Sequence, residues 1–163
     1  MAVDYFLDID GIQGESEDAA HKNKIQVMSF SWGASQAGRF GWTLGGSSGK
    51  ASFTDFSFTM QTSKATTKLI QACASGKHIA EAKLYCRKST GDGGPQDYMI
   101  WTMKPVIVSS YNTGGSSGAE IPIDSVSLNY GAVSIEYKTQ GDKAGTLTTA
   151  GTFKWDVTKN KEA

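Results

Sequence analysis

From Tyr98 to Ser110 the chain carries apolar side chains on both parities of an extended strand. Met99, Trp101, Met103 and Ile107 fall on one side, and Tyr98, Ile100, Val106 and Val108 on the other. Successive side chains of a strand point to opposite faces. Such a segment needs cover on both faces, which excludes a simple half-solvated sheet. The feature recurs. Met28, Phe30 and Trp32 share one parity within 25–34, against Ile25, Val27, Ser29 and Ser31 on the other. The first set is expected to face the core, which leaves an opposite face that begins apolar and ends in two small hydroxyls. Further on, Val126, Leu128 and Tyr130 share one parity, and Val133, Ile135 and Tyr137 the opposite one. That change of phase predicts a β-bulge or barrel corner near Gly131.

Other stretches complete a mainly β reading. Strands are expected over Tyr5–Ile9, Phe53–Met60, Ile79–Lys88 and Phe153–Val157. The polar run 11–24, the turn 91–95 and the loop 114–118 lie between elements. Nineteen glycines against three prolines suit a turn-rich β protein. One helix is expected, at about 64–75. Ala65, Leu69, Ala72 and Cys73 recur at helical spacing, Thr62 or Ser63 can cap its start, and Gly76 can end it. The expected fold is a single domain over 1–163, a β-barrel of two packed antiparallel sheets flanked by that helix. An extended Gly-rich loop at about 38–50 carries Phe40, Trp42 and Leu44. Those three must be buried somewhere, either on their own barrel or on a neighbouring subunit. One short helix cannot cover every second face, so copies of the chain are expected to pack on one another.

Chemistry is sparse. Sixteen basic and sixteen acidic residues cancel, which argues against capture of nucleic acid or an anionic membrane. No segment reaches the roughly 20 apolar residues of a bilayer span, and with Asp4, Asp8 and Asp10 near its start the chain is expected to carry no secretory leader. The histidines, His21 and His78, read as a turn residue and a helix-end residue. Cys73 and Cys86 read as core thiols, and no Cys-x-x-Cys or His-x-x-x-His occurs, so no metal site is expected. The run 45–50 lacks the first glycine and the final Ser or Thr of a phosphate loop. No catalytic cluster and no cofactor site is expected, and the chain reads as not an enzyme.

Several motifs in a fixed order are more specific. They are Gly14-Glu-Ser16 with Asp18 and His21, Ser29-Phe-Ser-Trp-Gly33, Ser75-Gly-Lys-His78, Val108-Ser-Ser-Tyr-Asn-Thr-Gly-Gly-Ser116, Asp124-Ser-Val-Ser-Leu-Asn-Tyr130 and Phe153-Lys-Trp-Asp156. In these the chain resembles the Hcp (haemolysin-coregulated protein) family, whose members form the inner tube of type VI secretion systems. The resemblance implies a β-barrel with a flanking helix, six copies closing into a ring, and rings stacking into a hollow tube. It implies a VgrG-type spike and a contractile sheath as partners, and small effector proteins carried in the lumen. It implies a cytoplasmic protein that leaves the cell through the apparatus, without a leader. On that frame Ser29 and Ser31 are expected to line the lumen. Phe40, Trp42 and Leu44 are expected at a ring or stacking contact, as are Val106, Val108, Val126 and Leu128. A phage or contractile-bacteriocin tail-tube protein and a monomeric ligand-binding β-barrel are the competing readings.

Overall fold

A computed structural model describes residues 3–39, 47–141 and 145–163. Phe40, Trp42 and Leu44 lie outside the described residues. The elements run β1 (Val3–Ile9), β2 (Ile25–Val27), β3 (Ser29–Ser31), β4 (Ala34–Ser35), β5 (Gly38–Arg39), β6 (Ser47–Ser48), β7 (Ser52–Phe53), β8 (Phe56–Gln61), α1 (Ala65–Ser75), β9 (Ala82–Ser89), β10 (Pro95–Gly114), β11 (Ile123–Gln140), β12 (Leu147–Asp156) and β13 (Lys161–Glu162).

Nine of these strands form one antiparallel sheet in the order β13-β12-β11-β10-β9-β1-β2, with a branch from β11 through β8 to β3. The long strands make the branch. The C-terminal half of β11 pairs with β12 and its N-terminal half with β8, while β10 lies along both halves. The expected two sheets are therefore two halves of one sheet, and no ladder closes it into a barrel among the described residues.

The fold turns on one corner. Trp101 and Met103 are buried at odd positions of β10, and Val106 and Val108 at even positions beyond Lys104 and Pro105. Opposite them, β11 buries Asp124, Val126, Leu128 and Tyr130 at even positions and Val133 at an odd one. Both strands exchange faces at the same level, Lys104 facing Ala132 and Val106 facing Tyr130, with no register shift between them. The phase change foreseen at Gly131 is thus a shared corner, not a bulge. Gly131 is required there, since a Cβ would sit 2.9 Å from Pro105 Cδ.

This corner sets where Val106, Val108, Val126 and Leu128 lie, the four residues expected at a ring or stacking contact. Their exposures are 0, 2, 1 and 0 %, and all four lie in the protomer's own core. Apolar residues on both parities of one strand do not require two covered faces when the strand turns over midway.

A second flip occurs at Met28. Ile25 and Val27 are buried against β1, Met28 is 51 % exposed, and Phe30 packs on the core while Ser29 and Ser31 face outward. The chain leaves β1 at Met28 and joins β8, where Met28 N donates to Thr59 O at 2.8 Å. Met28 was expected inside with Phe30 and Trp32; the change of partner strand reverses it.

Helix α1 follows its sequence signals closely. Ala65, Leu69 and Ala72 are buried and Cys73 is half-buried. Ser63 Oγ accepts from Ala65 N at 3.2 Å, and Thr66 Oγ1 accepts from Ser63 N at 3.0 Å. Gly76 takes the left-handed conformation at φ 64°, and its N–H meets the carbonyls of Ala72 and Cys73. β12 begins at Leu147, well before the expected Phe153.

The segment 38–50 is not a simple loop. Its described ends are two limbs of a ribbon that continues from β3 and β8: Ala34 faces Phe53, Ser35 faces Ser52, Gly38 faces Ser48 and Arg39 faces Ser47. Ala34 to Gly38 and Gly49 to Lys50 are exposed along it.

Candidate lumen face and its surroundings

The four strands β3, β8, β11 and β10 place eight small polar side chains on the face away from the core. Register puts them in two rows. Ser31, Ser57, Ser127 and Ser110 form one, and Ser29, Thr59, Ser125 and Asn112 the other. A bulge at Ser109 makes this alignment. Val108 pairs with Leu128 and Ser110 with Ser127, so β10 turns Ser110 and Asn112 onto the hydroxyl face after burying Val106 and Val108. The rows are tied sideways. Ser29 Oγ lies 2.6 Å from Thr59 Oγ1, and Ser57 Oγ lies 2.9 Å from Ser127 Oγ. Together with Phe30, Phe58 and Val126 these residues line a shallow open groove.

None of the eight carries a charge. A surface of this kind binds by short hydrogen bonds and bridging water, and exerts no long-range electrostatic pull. Ser29 and Ser31 were found from sequence and are exposed here. Six others were missed. Ser57 and Thr59 alternate with Phe56, Phe58 and Met60, and Ser125 and Ser127 with Val126 and Leu128, so the signal was period-two hydroxyls against core residues.

The two edges of this half-sheet have no strand beside them among the described residues. β3 pairs only with β8, and from Ile107 to Gly114 β10 pairs only with β11. At one end of the face, Asp55 accepts from Ser109 Oγ at 2.7 Å and from Asn129 Nδ2 at 2.9 Å. At that same end the ribbon departs, under a cluster in which Trp32 stacks on Phe53 at 5.8 Å and Phe153 on Trp155 at 6.4 Å. Trp32 Nε1 donates to Tyr130 Oη, which in turn donates to Thr54 O at 2.8 Å.

The two polar centres inside the molecule are structural. Asp124 is fully buried; its carboxylate accepts from Thr62 Oγ1 at 3.0 Å and Thr66 Oγ1 at 2.6 Å, locking α1 to β11. Burial alone would push this carboxyl up, but hydrogen bonds from Thr66, Thr113, Tyr111 and Thr62 together outweigh it and hold it below its ordinary value. His21 is 3 % exposed, far more buried than a turn residue need be. Its ring lies between Phe6 at 4.9 Å and Tyr85 at 4.7 Å. Nε2–H donates to Asp97 Oδ1 at 2.8 Å, and Nδ1 accepts from Lys24 Nζ at 3.0 Å. Arg87 Nη1 reaches the same Asp97 oxygen at 3.1 Å. Both cysteines are free thiols, and burial followed by the charge of Asp97 pushes Cys86 up to about 12. Among the described residues no three His, Cys, Asp or Glu side chains converge as metal ligands would, and no helix is long and apolar enough to cross a membrane.

The family profile described as "Type VI secretion system effector, Hcp" matches residues 6–137. Protein hcp1 of Pseudomonas aeruginosa is 41 % identical, with all of both chains covered. Among solved structures, Hcp1 from Salmonella typhimurium superposes with a TM-score of 0.82 at 36 % identity, again over all of both chains. A structure described as a type six secretion system protein superposes with a TM-score of 0.91 at 29 % identity, over 99 % of this chain and all of that one.

Proposed function

The chain belongs to the Hcp family of type VI secretion tube proteins, and from that premise we propose that six copies close edge to edge into a ring whose lumen is lined by the hydroxyl face. The observation that carries this reading is the pairing of that face with two open edges. Among the described residues, β3 on one side and the Ile107–Gly114 part of β10 on the other have no strand on their outer edge to pair with their backbone donors and acceptors. Free edges invite strand addition, and identical chains that offer one of each join head to tail until the ring closes. The small polar side chains beside both edges are then Ser29, Ser31, Ser110 and Asn112, so a closed ring presents a continuous uncharged interior.

In this role rings stack into a tube beneath a VgrG-type spike and inside a contractile sheath. The tube is assembled in the cytoplasm and expelled with small effector proteins in its lumen. The chain works as wall and carrier, with no reaction of its own. Small hydroxyls leave room for cargo and offer hydrogen bonds to varied polypeptide surfaces.

Ser31→Gln tests this. The longer amide is expected to lower cargo co-purification several-fold while negative-stain images still show end-on rings. Unchanged cargo retention would remove the lumen assignment, and small scattered particles from the unmodified protein would remove the ring.

A further inference from the structure

The segment from Gly14 to Lys24 is held against β1 and β9 by one side chain, and that side chain can change its charge. Phe6 lies between Tyr5 and Leu7, which pack on the core, and so points to the opposite side of β1. It is buried there because the His21 ring stacks on it, and the other side of the ring meets Tyr85 of β9. Both ring nitrogens are committed. Nε2–H donates to Asp97 Oδ1 at 2.8 Å, and Nδ1 accepts from Lys24 Nζ at 3.0 Å. An ammonium has only donors, so Nδ1 must be bare for the second contact to exist. Charged and titratable groups face this centre from every side. β1 supplies Asp8, 3.9 Å from Lys24 Nζ. β9 supplies Tyr85 and Arg87, whose Nη1 is 3.3 Å from Nε2 and 3.1 Å from Asp97 Oδ1. β10 supplies Asp97, and within the segment Asp18 Oδ1 accepts from the N–H groups of Ala20 and His21. Asp10, Glu81 and Lys83 line the groove that Asp8 and Tyr85 share, the last two paired at 3.5 Å.

We infer that residues 14–24 form an acid-released latch, in which a proton on His21 Nδ1 expels Lys24 and lifts the segment off Phe6 and Tyr85. Histidine is the side chain that commonly changes charge between about pH 8 and pH 5. The added proton sets two cationic donors 3.0 Å apart, where one nitrogen had accepted from the other. Asp97 favours a charged ring but does not relieve this conflict. It sits at the other nitrogen, and its Oδ1 already takes Arg87. Nor does Lys24 withdraw alone. Its side chain is 20 % exposed and its ammonium lies 4.2 Å over the Tyr85 ring. Its main chain carries the ties of the segment: Lys24 O accepts from Ser16 N at 3.1 Å, and Lys24 N donates to His21 O at 3.3 Å. An open segment carries the proton without the conflict, so the closed state loses ground as pH falls. Opening uncovers Phe6 and loosens β2, which begins directly after Lys24 and pairs with β1 only over Ile25–Val27.

The latch belongs to the single protomer and stands apart from the tube reading. Its test is amide hydrogen exchange on the unmodified full chain, read by mass spectrometry and corrected for the intrinsic pH dependence of exchange. Two conditions bracket the imidazole range, about pH 7.5 and about pH 5.5. Protection of residues 14–24 is expected to fall about tenfold or more at the lower pH while that of β11 holds. Equal protection of the segment at both values would overturn the inference, as would an equal loss across the whole chain. Lys24→Met removes the ammonium and leaves Nδ1 free to take a proton, so protection of the segment should no longer depend on pH. His21→Gln keeps a donor for Asp97 and does not titrate, and it should abolish the dependence too. An acid-induced loss that persists in Lys24→Met or in His21→Gln would overturn the assignment to this pair. His78 is exposed and outside the latch, so His78→Gln should respond to acid as the unmodified chain does; loss of that response would overturn the assignment to His21.

Discussion

Asp124 shows how a single residue can join two elements. It is fully buried, yet it remains a strong acceptor because four donors surround it. Asp124→Asn keeps the shape and removes the charge, so it should cost about 1–3 kcal/mol in urea unfolding at neutral pH. The sign of the pH effect follows from the lowered carboxyl. Its ordinary value is 3.8, and ionisation comes more readily in the folded state. Its contribution is complete above the unfolded range and is lost as pH falls through the folded value. Unfolding free energy should therefore decline in acid more steeply for the unmodified protein than for Asp124→Asn. The two thiols also separate at this scale. Cys86 is buried and pushed up to about 12, while Cys73 is half-buried at the helix end. At neutral pH a small alkylating reagent should modify Cys73 first and reach Cys86 only on unfolding, as read by mass spectrometry.

At the scale of elements, the motif Gly14-Glu-Ser16 with Asp18 and His21 was legible as a unit before its purpose was. It is a clamp. Gly14 N donates to Asn23 O, Ser16 N to Lys24 O, and Asp18 Oδ1 accepts from the N–H groups of Ala20 and His21. His21 then anchors the clamp between β1 and β9. A Cβ on Gly14 would lie 2.5 Å from Lys24 O and 2.6 Å from Ile25 Cα, both backbone atoms that cannot swing aside. Gly14→Ala should therefore destabilise by about 1–3 kcal/mol, seen as a lower thermal midpoint. The helix was read well because its spacing, cap and stop are local. Residues 38–50 were read as a loop because of their glycines, and the pairing of the segment's described ends continues from β3 and β8 at its base.

At the scale of the molecule, the corner at Gly131 decides which apolar residues are core. Val108→Asp offers a clear discrimination. An interface role would predict folded monomers; the buried position predicts loss of the fold, by about 3 kcal/mol or more for an uncompensated charge. Circular dichroism should show unfolded or aggregated material, not a folded monomer on a sizing column. Among the described residues, the large apolar side chains that remain outside after the corner is taken into account are Val3, Met28, Ile70, Ile121, Ile123, Tyr137 and Phe153. The case for self-association thus moves from greasy strands to open edges.

Alternation along the chain was enough to determine the β class, the helix, the buried parity of β8 and β9 and the hydroxyl positions Ser29 and Ser31. These depend on neighbours within a few residues, where the periods of strand and helix write themselves into the order of side chains. Only the tertiary structure decided that β10 and β11 turn over together, that Met28 lies outside, and that eight hydroxyl and amide groups from four strands form two rows. Those outcomes depend on which strand lies beside which, and in what register. A bend or a bulge of one residue exchanges the inner and outer faces, and local periodicity carries no record of the partner.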